Sequence, residues 1–260
     1  MTDLRRKPKL LIAPKVLAID FRPSAVPTAW SKTPDLIQQY ISSLRTISSE
    51  TLIYQVVDTL KVTSFPRLQD GRRYSNSSWL AALADDSTAF RDPHGGYMLA
   101  DYNQIMEDFN LEQRVADQLI DEIWLFGGPY FGFYESRMIG KKAFWCNGPG
   151  MESPCRRFVI MGFNYQRTVR EMLHDFGHRS ESILSRQYGS QNYLQKLYAP
   201  LTFGPIIPPP PRNEFEKFLY NHGTVHRVPG GLEYSQDEVA WLGGLKPAWF
   251  PLVVDPNHAR

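Results

Sequence analysis

The chain has 260 residues, 42% hydrophobic and 22% charged, with a formal net charge of +2. That composition suits a globular protein with a buried core, in one large domain or two small ones. Both signs of charge are interspersed, and beyond the short LRRKPK cluster near the start no basic block marks a nucleic-acid or membrane-surface partner.

No apolar run approaches the roughly 20 residues of a membrane span, and the first 30 residues lack the order of a secretory signal. The chain as given therefore reads as cytoplasmic, or as extracellular if a signal has been removed. Neither a nucleic acid nor a membrane is expected as a partner, and the sequence leaves the oligomeric state open. Aromatic residues make up 13% of the chain, which fits an aromatic-walled pocket as well as an ordinary core.

In chain order, KVLAIDF (15–21) is a short apolar run of the kind that forms a strand buried on both faces. TPDLIQQYISSLRTI (33–47) follows as a helix, with Thr33 as N-cap and Pro34 in the first turn. LIYQVVD (52–58) reads as a second buried strand, DYNQIMEDFNLEQRVADQL (101–119) as a helix, and IDEIWLFGG (120–128) as a third strand. RFVIMGFNY (157–165) is the fourth, and QRTVREMLHDFGHRSESILSRQYG (166–189) is a long helix ended by Gly189.

Alternating strands and helices predict a Rossmann-like α/β fold, a mostly parallel sheet flanked by helices. Its functional residues should lie beyond the carboxyl ends of the strands. We place this α/β domain at residues 1–204. Residues 205–260 open inside the proline-rich GPIIPPPPR stretch (204–212) and continue as an irregular C-terminal strap, docked on the same domain by Trp241, Trp249 and Phe250. There is no G-x-G-x-x-G fingerprint and no phosphate-loop motif, so no nucleotide cofactor is expected. Cys146 and Cys155 flank CNGPGMESPC, where they would close a small disulfide outside the cell or stay thiols in a reducing one.

Three clusters carry chemistry. In EMLHDFGHRSE (171–181), His174 and His178 are four apart, the spacing at which two imidazoles converge on one metal. Glu171 or Glu181, one turn away, would ligate or orient them. At 100° per residue, Val169, Met172, Leu173, Phe176, Ile183 and Leu184 share one side; Glu171, His174, Asp175, His178 and Ser182 share the other. That polar side is either solvated or one wall of a site roofed by another segment. Two features weigh against the zinc-protease pattern H-E-x-x-H. Asp175 stands where that pattern has Glu, and Gly177 weakens the helix between the histidines.

The second cluster is WLFGGPYFGFYESR (124–137), where Tyr130, Phe131, Phe133 and Tyr134 would desolvate Glu135 and raise its pKa toward that of a general base. The alternative is an ion pair of Glu135 with an arginine inside an aromatic core. In the third, HGTVHRVPGG (222–231), His226 sits in a glycine-punctuated loop as a third ligand or a base.

The blocks IDEIWLFGGPYFGFYESRM, FWCNGPG, VIMGFNYQRTVREMLHDFGHRSES and GTVHRVP together resemble a family of bacterial proteins of unassigned function, several of them exported. The resemblance spans scattered blocks between about residues 50 and 240. It implies that they share one structural site and brings no activity with it.

Joined, the clusters lead us to expect a metal-dependent hydrolase acting on an amide, ester or glycosidic bond, with zinc as the expected ion. His174 and His178 are the ligands, Glu171 or His226 completes the shell, and Glu135, Glu171 and His226 are the catalytic candidates. Tyr130, Tyr134, Asn164, Tyr165 and Arg179 are candidate substrate-binding groups for a small-molecule, peptide or glycan substrate. One alternative is a metal-free carbohydrate-active enzyme that pairs Glu135 with Asp20 or Glu171. Another is a non-catalytic glycan- or protein-binding module.

Overall fold

The computed structural model describes residues 11–198 and 209–258. The first part of the proline-rich stretch, residues 204–208, lies outside the described residues.

Six of the seven residues of β1 (Lys15–Phe21) are buried, as an interior strand requires. From it the chain runs through α1 (Thr33–Ile47) to β2 (Gln55–Val62), then through α2 (Asn76–Ala84), α3 (Tyr102–Asp108) and α4 (Leu111–Ala116) to β3 (Glu122–Gly127). A short β4 (Ser136–Ile139) leads to β5 (Phe158–Asn164). The strands form a sheet of order β2-β1-β3-β5-β4, parallel except for the antiparallel β4–β5 pair. The protein is thus a mixed α/β fold with a mostly parallel sheet flanked by helices. β3 is buried at every position, since sheet neighbours and covering layers leave it no wet face.

Three expectations need correcting. The run at 52–58 is not a strand buried on both faces: Leu52 and Tyr54 are buried ahead of the strand, which starts at Gln55. β2 is the sheet's edge and shows mostly exposed positions, Val57 among them. The four residues of β4 form a strand that the sequence pattern does not announce, because they find a free edge on β5. The helix expected over 101–119 is two, interrupted where Asn110 takes a left-handed φ of +50°.

Next comes the longest helix, α5 (Val169–Tyr188), begun by a capping box in which Glu171 Oε2 accepts from Thr168 N at 2.9 Å. It ends on left-handed Gly189, φ +63°. Then α6 (Gln191–Tyr198), α7 (Glu214–His222), α8 (Gln236–Gly243) and α9 (Phe250–Val254) follow. The expected irregular strap is therefore largely helical. Among its residues Trp241, Trp249 and Phe250 are buried as expected, and α7, α8 and α9 all contact α5.

That packing covers α5 on nearly every side, and twelve of its twenty residues are buried. The amphipathic division seen in the sequence does not mark a solvent face. Among the described residues no helix is long and apolar enough to cross a membrane.

Candidate metal centre

The polar side of α5 lies under the loop before α8 and under α8 itself. His174 is 1% exposed. Its Nε2 is 3.0 Å from His178 Nε2, and its Nδ1 is in contact with Glu238 Oε1 of α8. The ring of His226 lies 5.0 Å from that of His174 and 4.7 Å from that of His178. One ligand nitrogen from each histidine falls within 4.8 Å of the others. Two nitrogens bound to one tetrahedral ion would stand roughly 3.3 Å apart, so a small closure of this group could hold a metal ion.

Glycine at 177 permits the approach of the third histidine. A Cβ there would lie 2.7 Å from Val225 Cγ2, so only a helix bare at this point lets the loop carrying His226 settle against it. The loop is then held by Val225 N, which donates to Glu181 Oε1 at 2.9 Å, and by Trp241 Nε1, which donates to Gly223 O at 3.1 Å. Gly177, which weakens the helix in the abstract, is what assembles the cluster.

A carboxylate stands on the Nδ1 side of each histidine. Glu238 meets His174, Glu233 Oε2 lies 3.1 Å from His226 Nδ1, and Glu181 Oε2 lies 3.7 Å from His178 Nδ1. Glu238 and Glu233, in contact with their histidines, favour the tautomer of His174 and His226 with the proton on Nδ1, leaving Nε2 with its lone pair; Glu181, at 3.7 Å, acts on His178 through its charge. The 3.0 Å approach of the His174 and His178 Nε2 atoms calls for a proton or a cation between them. The arrangement has the form of a ligand set with its supporting carboxylates.

One cavity opens on this cluster and a second lies beside it. A chamber of about 600 Å³ has Phe144, Trp145, Leu194 and Tyr198 among its walls, and His178 and His226 open onto it. A smaller cleft of about 250 Å³ lies at the carboxyl ends of β3 and β5, where an open α/β sheet offers its loops, and is lined by Tyr130, Glu135, Asn164, Arg167, Glu171, Asp175 and Tyr234. Glu135 stands between the two. Its Oε2 is 3.9 Å from His178 Nε2 and accepts from Asn147 Nδ2, a residue of the chamber wall.

The expected residues thus separate. His174, His178 and His226 come together, with Glu135 beside them, while Tyr130 and Asn164 line the cleft. Glu171 does not complete the shell: its Oε2 caps α5 through Thr168 N and Oγ1. Glu135 is not desolvated by its aromatic neighbours; its side chain is 45% exposed, because the rings of Phe131 and Phe133 pack toward Gly127, where a Cβ would lie 2.7 Å from each.

The desolvated carboxyl is Asp175, 6% exposed. Burial first, then the charges of Glu135, Glu238 and Glu171, push it well above the usual carboxylate range.

Three proposed substrate contacts fail on position. Arg179 is fully buried in an ion pair with Glu122, Nη1 to Oε2 2.6 Å, and its Nε donates to Val253 O at 3.0 Å. Tyr165 is also buried, with its hydroxyl donating to Phe21 O. Tyr134 faces Tyr102 and Arg137 and lines neither cavity.

Glu233, Glu238 and Asn147 were missed. Glu238 had a signal: it shares the apolar stripe of α8 with Trp241 and Leu242, and a carboxylate on such a stripe needs a buried partner. Glu233 and Asn147 lie in turns with no periodic signal. The thiols of Cys146 and Cys155 are free, so the disulfide alternative is not realised.

Comparison with protein-family models, curated proteins and solved structures finds no match to this chain. Fold and site by themselves define its class: a Rossmann-like α/β protein carrying a three-histidine group that could hold a metal ion.

Proposed function

We propose that the protein is a zinc-dependent hydrolase acting on an amide, ester or glycosidic bond. The observation that carries this reading is the convergence of His174, His178 and His226, with a carboxylate on the Nδ1 side of each. An all-nitrogen set of three imidazoles suits zinc, which keeps a fourth position open in catalytic sites and there supplies Lewis-acid activation of water. Glu135 is exposed and faces the Nε2 side of His178 at 3.9 Å, positioned to take a proton from water and return it to the leaving group. Asn147 orients it, and the two cavities receive the two sides of the scissile bond.

The test begins with metal analysis of untagged protein. One zinc per chain is expected, removed by a chelator and absent from His178→Ala. A panel of chromogenic esters, amides and glycosides should show turnover that falls on chelation and returns with zinc. Protein that neither contains nor binds a transition metal overturns the reading. One observation favours a second reading, a metal-free acid–base pair: Glu135 and Asp175 share the cleft, one exposed and one buried with a raised pKa. Turnover indifferent to chelators selects it.

A further inference from the structure

The two cavities differ in chemistry as well as in place. Beside the histidines the chamber presents the apolar side chains of Phe144, Trp145, Leu194 and Tyr198, which suit an apolar group, set among polar ones that include Arg186 and Gln195. The cleft on the other side carries three carboxyl groups, Glu135, Glu171 and Asp175, against the single cation Arg167. Tyr130 and Tyr234 stand among them with aromatic surface.

Asp175 separates this cleft from an ordinary acidic surface. Its side chain lines the cleft while only 6% exposed, and no hydrogen-bond partner is found for it among the described residues. A buried carboxyl without a partner is costly in the fold, and one that lines a cavity is satisfied by a ligand that donates to it. Carboxylates flanked by aromatic faces select a protonated amine over a neutral hydroxyl, by charge-assisted hydrogen bonds and by cation–π attraction.

Taking the histidine cluster as the reaction centre, as proposed above, we infer that the cleft is the subsite for a protonated amine. The substrate is then bipartite: an apolar acyl or aryl group in the chamber, joined across the scissile bond to an amine-bearing group beside Asp175. Glu135, which lines the cleft and accepts from Asn147 of the chamber wall, marks where that bond lies. Asp175 positions the ligand, and Arg167 limits how much positive charge the cleft accepts.

The test uses two probes of matched shape, N-octanoyl-putrescine and N-pentyl octanamide, in which a methyl group replaces the terminal ammonium. Each is titrated by calorimetry into the full chain, as purified and after dialysis against EDTA. The charged probe should bind at least about tenfold more tightly, the scale of one charge-assisted hydrogen bond. Shortening the octanoyl group to acetyl should weaken both probes by a similar factor. Asp175→Asn should collapse the preference for the charged probe, and Arg167→Gln, at an exposed position, should widen it.

Equal affinity for the two probes overturns the inference. So does a preference that Asp175→Asn leaves intact, or one that Arg167→Gln fails to widen if the Asn variant does not fold. The hydrolase reading fails separately: a charge preference without bound metal keeps the subsite and loses the metal centre, and bound metal without the preference does the reverse.

Discussion

Asp175 shows how a neighbour's identity changes a residue's chemistry. In the sequence it is the acid after His174, short by one methylene of the zinc-protease base. In the fold it is a buried carboxyl whose pKa is raised well above the ordinary range by burial first and then by the charges of Glu135, Glu238 and Glu171. The stability consequence has a definite sign. With the folded pKa raised, the native state binds more protons than the unfolded one once pH passes the ordinary aspartate value of roughly 3.9. Stability must then fall as pH rises through that window and toward the folded pKa. Asp175→Asn removes the ionisable group, so the variant should gain stability relative to the parent as pH is raised from 4 to 8, measured by denaturant titration at each pH. A difference that does not change with pH would contradict the assignment. The cysteines offer a second check at this scale. Burial pushes the Cys146 thiol up to about 11, whereas Cys155 is only half-buried. Iodoacetamide at neutral pH should therefore label Cys155 in the native protein and spare Cys146 until it unfolds, as read by peptide mass spectrometry.

At the scale of elements, α5 is the piece on which the candidate site is built. It presents His174, Gly177, His178 and Glu181 along one stripe, and the glycine is the member that sets the distance to the next segment. Alanine at a helical position ordinarily gains up to about 1 kcal/mol over glycine. Here the added methyl meets Val225 at 2.7 Å, and overpacking of that kind costs about 1–3 kcal/mol. Gly177→Ala should thus leave melting temperature lowered modestly or unchanged while weakening zinc binding at least about tenfold, because the loop carrying His226 is displaced. If zinc affinity is unaltered, His226 is not a ligand.

Across the whole molecule, the cluster joins two parts of the chain that are remote in sequence: α5, and the segment that runs from the loop at 222–231 into α8. Glu238 is the most distant contributor, 64 residues from the His174 it supports. Supporting carboxylates of this type typically contribute about 10–100-fold to metal affinity, so Glu238→Gln should weaken zinc binding within that range in a chelator competition. Because metal that binds only the folded state stabilises it, zinc should also raise the melting temperature of the parent more than that of the variant. A variant that binds zinc as tightly as the parent would show that Glu238 is a structural partner only.

The strands β1, β3 and β5 and the helix α5 were legible in the sequence because apolar periodicity and capping residues report burial within a single element. The parallel α/β arrangement follows from their alternation, and the i, i+4 histidine pair from local spacing alone. Tertiary structure decided everything that depends on which element lies against which. It made β2 an exposed edge, found a partner strand for Ser136–Ile139, and turned the expected strap into helices packed on α5. It also buried Arg179 against Glu122, left Glu135 open to solvent and withdrew Asp175 from it. The physical reason is common to these cases. A polar side chain's charge, partner and access are set by neighbours arriving from distant parts of the chain, and the local pattern carries no record of their arrival.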